Sequence, residues 1–441
     1  MRVTAFFRDA AWLHRDRARA YALMLALGMG IALGYDWLST ALGHHPGVAA
    51  TAPGKPGPTD FLSFWCAGHL ALSGQPASAW NLRVLGPLEH ATASLDGDAT
   101  LAFFYPPPFL LLCLPFAALP YLAGFAAFVA AQGAALIMLL RRILPRDWGW
   151  LPVFGFPGLL INAATGQNGF VSAACLAASV VWLDRRPLLA GAALGGLAFK
   201  PHLALCVPVA LLAARRWRAV FAAGGTALAL FALSWLALGT ASYAAFFQSL
   251  PAVRDALEHH PEDWGKLQSL YTAARICGAS LATAYVVQAG LALLVAAALA
   301  LLCWRRPGGS AEMAALSAAA LLCTPHVLDY DLAVTGVPLA WLAHGSWRPW
   351  EKSVAALAFL WPLLARIGTQ AHLPVGPFVL LALFVVVWRR AAGRSSFLKK
   401  RSKKLLLPRT RDLVGIGPRT PTSKSFLVLF FKKEHSFFLS L

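Results

Sequence analysis

Apolar runs long enough, or nearly long enough, to cross a bilayer follow one another through most of the chain. The first occupies 21–38, and others lie near 150–163, 170–183, 187–199, 203–214, 219–238, 284–303, 311–325, 331–343, 353–367 and 374–388. Between 104 and 140 the apolar stretch is broken at Pro106-Pro107-Pro108, Pro115 and Pro120. A backbone in hydrocarbon must satisfy its own polar groups, so such runs are helices. A full crossing takes roughly 20 residues at about 1.5 Å each; the shorter runs need tilt, or share their length with a loop. The pattern predicts an all-α, polytopic membrane protein of about twelve spans.

Composition agrees. Of 441 residues 58% are hydrophobic and 13% charged, against about 25% charged in soluble domains. The net charge of +19 would suggest nucleic acid in a soluble protein. Here the arginines cluster between apolar runs, at Arg185-Arg186, Arg215-Arg216-Arg218, Arg305-Arg306 and Arg389-Arg390. That is the signature of loops on the cytoplasmic side, and it points away from a nucleic-acid partner and toward the lipid bilayer. The seven cysteines contain no CxxC pair, which gives neither a zinc site nor a disulfide framework. The basic flank Arg15, Arg17, Arg19 resembles that of a signal peptide, but the many later spans favour an uncleaved first helix running outward.

This orientation divides the chain into a membrane domain, 1–393, and a tail, 394–441. The domain includes a first outer loop, 39–100. Its start, 44–58, is rich in Pro and Gly and should be irregular, while Phe61–Leu72 is expected as a short interfacial helix anchored by Phe64 and Trp65. Two full crossings between 104 and 140 would put Arg141-Arg142 outside, so a broken or re-entrant stretch near 104–119 is expected. Residues 1–393 contain four lysines and abundant alanine; 394–441 contain seven lysines and no alanine. Either the tail binds anionic lipid, or it is a frameshifted or read-through product unrelated to function.

With the arginine clusters inside, the polar breaks, among them a long loop expected over 239–283, fall together outside. Asp60 heads the outer helix among aromatics; it is a candidate general base and equally a candidate N-cap. Lys200-Pro201-His202 ends an apolar run, where the ammonium is either a snorkelling anchor or, with the imidazole, a ligand for a lipid-linked phosphate. The segment 324–331 places His326, Asp329, Tyr330 and Asp331 where ionisable groups are costly; the plain alternative is a polar hairpin. Gln167, Asn168, Gln268 and Ser269 sit at outer helix ends, available to sugar hydroxyls or to loop backbone. His259-His260 with Glu258, Glu262 and Asp263 faces water more readily than a metal.

The order of these motifs resembles glycosyltransferase family 87, mannosyltransferase-like membrane proteins of the GT-C fold. The likeness rests on Asp60-Phe61, Phe64-Trp65, Ala67-Gly68, Gly74 and Pro76; on Phe104-Tyr105-Pro106-Pro107 and Gly166-Gln167; and on Asp184-Arg185-Arg186-Pro187, Ala190-Gly191, Phe199-Lys200-Pro201-His202 and Gln268-Ser269. It covers roughly 20–390. The resemblance implies a polyprenyl-phosphate sugar as donor, a glycan or glycolipid as acceptor, the outer membrane face as the place of reaction, and no cofactor. It makes Asp60 the base and His326 a second functional residue, with Tyr105, Gln167, Asn168, Lys200, His202, Gln268, Ser269 and Asp329 as substrate-binding candidates. The mannose preference is a family-level expectation.

The composition, rich in Ala, Arg and Leu, suggests a GC-rich bacterium and hence its plasma membrane. A transporter or flippase of lipid-linked glycans needs a similar polar cavity but no base. Such folds often repeat several spans internally, and no convincing repeat is visible here. A purely structural subunit would leave the outer polar clusters without a purpose.

Overall fold

The computed structural model describes residues 2–42, 55–259, 261–305 and 308–406. Most of the stretch expected to be irregular (43–54), His260, and the tail from 407 onward lie outside those residues. A compact body comprises Met1–Ser395; residues 396–406 are helical. The protein is all-α: among the described residues the one β pairing is an isolated bridge, Leu267 to Leu328. Among the described residues five helices are long and apolar enough to cross a membrane, Arg15–Ala41, Tyr121–Ile143, Trp217–His259, Leu281–Trp304 and Gly376–Gly393, and six shorter apolar helices accompany them. Exposed Met24, Leu27, Ile31, Leu228, Leu236, Leu293 and Leu294 line the long helices, as expected of side chains that face acyl chains rather than water.

The broken stretch takes the form expected of its prolines. Pro107–Ala117 is a short helix, about 16 Å long at 1.5 Å per residue and too short to cross. Of the two, only Tyr121–Ile143 is long and apolar enough to cross, and it ends on Arg141 and Arg142. The start of the first long helix meets the end of this one: Arg15 pairs with Asp147 at 2.6 Å. His344 bonds the Ile143 carbonyl, and Arg390 bonds Glu351 and the Leu342 carbonyl. Arg216 pairs with Glu312 and Asp184, each at 3.0 Å. The helices that start or finish at these contacts have their other ends at Tyr121, which bonds Thr59, at Asn168, at Thr324 and in the last turn that carries Arg366. Every described arginine cluster therefore lies at one end of the body, and the polar breaks lie at the other.

Close packing in this bundle relies on small residues. A Cβ on Gly191 would stand 2.3 Å from the Ala219 carbonyl oxygen, and one on Gly195 would stand 2.4 Å from that of Ala223. Helix Pro187–Gly195 thus lies directly on the backbone of Trp217–His259. That 43-residue helix changes direction at Gly239, whose φ of 76° is left-handed. Its second half, to His259, runs as a helix in the first part of the long loop expected over 239–283, and Phe246 meets Trp80 edge-on at 6.1 Å.

Phe61–Leu72 forms where the pattern placed it, but Phe64 is not an interfacial anchor. It is buried in a cluster with Phe103, Tyr105, Phe109 and Phe128. The helix presses against Pro107–Ala117 through Gly68, where a Cβ would lie 2.6 Å from that of Ala117. Aromatic side chains bury large areas, so this cluster gives the Asp60 end a rigid floor.

Candidate active site

Two backbone devices create the site. Gly166 ends helix Leu160–Thr165 in the left-handed conformation, φ 71°, which glycine adopts without a Cβ penalty. A Cβ there would also stand 2.7 Å from that of Phe61. The turn carries Gln167 to Asp60: Gln167 Nε2 donates to Asp60 Oδ2 at 3.1 Å. Asp60 occupies the N-cap position of Phe61–Leu72, yet its side chain makes no capping bond. The capping alternative is therefore not realised, and among the described residues Oδ1 has no hydrogen-bond partner.

Gln167 continues the chain of contacts. Its Oε1 accepts from the Tyr105 hydroxyl at 3.4 Å, and that hydroxyl lies 3.2 Å from the Tyr330 hydroxyl. The second device is the tight 3-10 segment Asp329–Thr335. Asn162 Nδ2 donates to the Tyr330 carbonyl at 2.8 Å, and Gly169 lets that carbonyl approach, since a Cβ would sit 2.3 Å from its oxygen.

Lys200 lies across this junction. It is 2% exposed, and its Nζ is 2.5 Å from Asp331 Oδ1, itself completely buried. The same ammonium donates to Asn168 Oδ1 at 3.3 Å and stands 4.3 Å above the Tyr330 ring. Its charge is thus spent inside the protein, and neither a snorkelling anchor nor an open phosphate ligand describes it. Asp331, absent from the expected site residues, is the partner that fixes it.

Asp329 carries a different cation. Arg366 donates to Asp329 Oδ2 from Nε at 3.0 Å and from Nη2 at 2.7 Å, while Oδ1 accepts from the Tyr330 amide at 2.8 Å. Burial raises the Asp329 carboxyl above the usual carboxylate range; Arg366 opposes that rise and the charge of Asp60 adds to it. The hydrogen-bond chain Asp60–Gln167–Tyr105–Tyr330 ends beside Asp329.

His202 and His326 form a second group, close enough for their charges to interact. Among the described residues, His202 Nε2 and His326 Nδ1 are buried without a hydrogen-bond partner. The His326 ring meets Tyr271 edge-on at 5.6 Å. Burial lowers His326 to about 4. The unfolded chain then binds a proton between the ordinary value near 6.5 and about 4, while the folded chain does not. This contribution to stability is complete above pH 6.5 and is lost as the pH falls toward 4. In detergent, the melting temperature of His326→Gln should depend less on pH over that interval than that of the wild type; identical slopes would exclude the effect.

Gln268 and Ser269 are engaged elsewhere. Gln268 donates to Thr369 Oγ1 at 3.0 Å and accepts from Trp361 at 3.2 Å; Ser269 caps helix Leu270–Ile276 through the Thr272 amide. His259 bonds Asp255 at 3.1 Å. Glu89, which the sequence did not single out, is fully buried and accepts from the Leu101 amide at 2.8 Å, pinning the strand of chain that leads to Tyr105. Burial pushes its carboxyl up to about 7.

No curated protein and no solved structure matches the chain. The model of glycosyltransferase family 87 matches residues 103–327, a segment that carries Tyr105, Gln167, Asn168, Lys200, His202 and His326 and stops short of Asp60 on one side and Asp329 on the other. It spans half of the chain, in the all-helical membrane architecture described above, and the chain belongs to glycosyltransferase family 87, as a membrane glycosyltransferase.

Proposed function

We propose that the protein transfers a hexose, mannose on the family resemblance, from a polyprenyl-phosphate donor to a hydroxyl of a glycan or glycolipid at the outer face of a bacterial plasma membrane. The observation that carries this reading is Asp60, a carboxylate with one oxygen anchored by Gln167 and the other unpartnered, at the end of the body opposite the arginine clusters. Arginine-rich ends remain cytoplasmic, so Asp60 belongs outside, where nucleotide sugars are absent and a lipid-borne sugar is the available donor.

Asp60 takes the proton of the acceptor hydroxyl as its oxygen bonds to the anomeric carbon. The bond from that carbon to the phosphate oxygen breaks, its electron pair stays on the phosphate, and the configuration inverts. His326 and His202, whose buried nitrogens have no hydrogen-bond partner among the described residues, are assigned to bond a donor or acceptor oxygen. Lys200 keeps Asn168 and the 328–331 segment in register. The test is purified protein offered a panel of polyprenyl-phosphate sugars and acceptors, with products read by mass spectrometry and anomeric configuration by NMR. Transfer from a nucleotide sugar alone, or with retained configuration, would overturn the reading.

A further inference from the structure

We infer that Arg366 binds the phosphate of a polyprenyl phosphate whose isoprenoid chain lies along the helix Glu351–Gln370. The inference rests on the proposed donor class and names the side chain and helix face that receive it.

Arg366 differs from Lys200 in its surroundings. Lys200 is sealed in with Asp331, whereas the Arg366 side chain is 44% exposed. Nε and Nη2 are held by Asp329; among the described residues Nη1 has no partner. Such an arginine is aimed but not used up, because its guanidinium plane is fixed by one carboxylate while a further donor edge stays open to an oxyanion. Asp329 bonds the Tyr330 amide, and the Tyr330 hydroxyl is linked through Tyr105 and Gln167 to Asp60, so a phosphate at Arg366 would sit in the neighbourhood of the proposed base.

The surroundings suit a lipid. Leu363, Leu364 and Ile367, beside Arg366 on the same helix, are all exposed. Positions three and seven residues before Arg366 share its face, which gives Leu363 and Phe359. Phe359, with Leu360 and Ala356, lines a mainly apolar cavity of about 460 Å³ that extends toward the opposite end of the helix, its other walls including Tyr21, Leu25 and Phe156 and, farther along, Arg15 and Lys352. Headgroup and cavity thus belong to one helix face. The rise from Ala356 to Arg366 is about 15 Å at 1.5 Å per residue. A soluble anion would have no use for that apolar track; an isoprenoid chain buries its methyl-bearing surface there.

The full chain in nanodiscs is titrated with a long-chain polyprenyl phosphate, with the matching polyprenol, and with inorganic phosphate, read by native mass spectrometry. Arg366→Gln should weaken polyprenyl phosphate binding about tenfold or more, the usual scale for a lost charge-assisted hydrogen bond, and leave polyprenol unchanged; Arg366→Lys should retain part of the affinity. Phe359→Asn should weaken both lipids. If Arg366→Gln fails to fold with Asp329 left bare, Arg366→Gln combined with Asp329→Asn gives the same readout. Wild-type protein that binds polyprenyl phosphate no better than Arg366→Gln overturns the assignment and leaves the donor class standing. Wild-type protein that binds no polyprenyl phosphate at all overturns both. Inorganic phosphate binding as tightly as the lipid overturns the isoprenoid track.

Discussion

Asp60→Asn should lower turnover about a thousandfold while leaving expression and the melting temperature in detergent close to wild type. A positioned general base contributes typically 10²–10⁴-fold, and asparagine removes the basic oxygen at almost constant volume. The exchange is gentle structurally because Asp60 caps nothing, and its one side-chain bond, from Gln167 Nε2, can pass to the asparagine carbonyl. Asp60→Glu keeps the base but moves it by a methylene. A displacement of about 1 Å costs up to about a hundredfold in an aligned reaction. Steady-state transfer with saturating donor distinguishes the two: the base assignment requires a loss in kcat. An Asp60→Asn protein that turns over at the wild-type rate would remove Asp60 from the reaction.

How much of this was visible in the sequence depends on the distance between the residues concerned. Local patterns carried well. The apolar windows became helices, and the prolines near 104–119 left a short helix in place of a full-length one. Features made by distant partners did not carry. Lys200 reads as a terminal lysine because Asp331 lies 131 residues away. Phe64 reads as an anchor because Phe103 and Phe109 arrive from a later segment. Arg366 was missed inside an apolar window, where a single arginine gives no periodic signal and only Asp329 explains its presence. The helix after Gly239 did leave a trace: Phe246, Phe247 and Leu250 recur at helical spacing within a stretch taken for loop. Glu89 left almost none, since burial of a lone acid is set by the packing of 99–103 above it.

Lys200→Met should destabilise the protein by about 3–5 kcal/mol, the usual cost of removing one member of a buried ion pair, and should abolish measurable activity at the growth temperature. The cause is Asp331 rather than the lost ammonium. With Lys200 gone, a completely buried carboxylate keeps only the Leu328 amide at 3.3 Å, and a bare charge in a low-dielectric interior is costly. Asp331→Asn should be nearly as damaging, because it strands an ammonium that is 2% exposed, with Asn168 Oδ1 and the Tyr330 ring as its remaining partners. The double variant Lys200→Met/Asp331→Leu removes both charges and fills the space with apolar groups, and replacements of that kind are often neutral or stabilising. It should recover most of the melting temperature. Turnover then decides what Lys200 does. A positioning residue acts through the register of Asn168 and the 328–331 segment, so the double variant should regain activity to within about tenfold of wild type, the interaction energy of a coupled pair. Full thermal recovery with turnover still lost would instead mean that the ammonium itself acts on the donor. The geometry favours the first outcome, because a cation 2.5 Å from a carboxylate has little net field left to offer a phosphate.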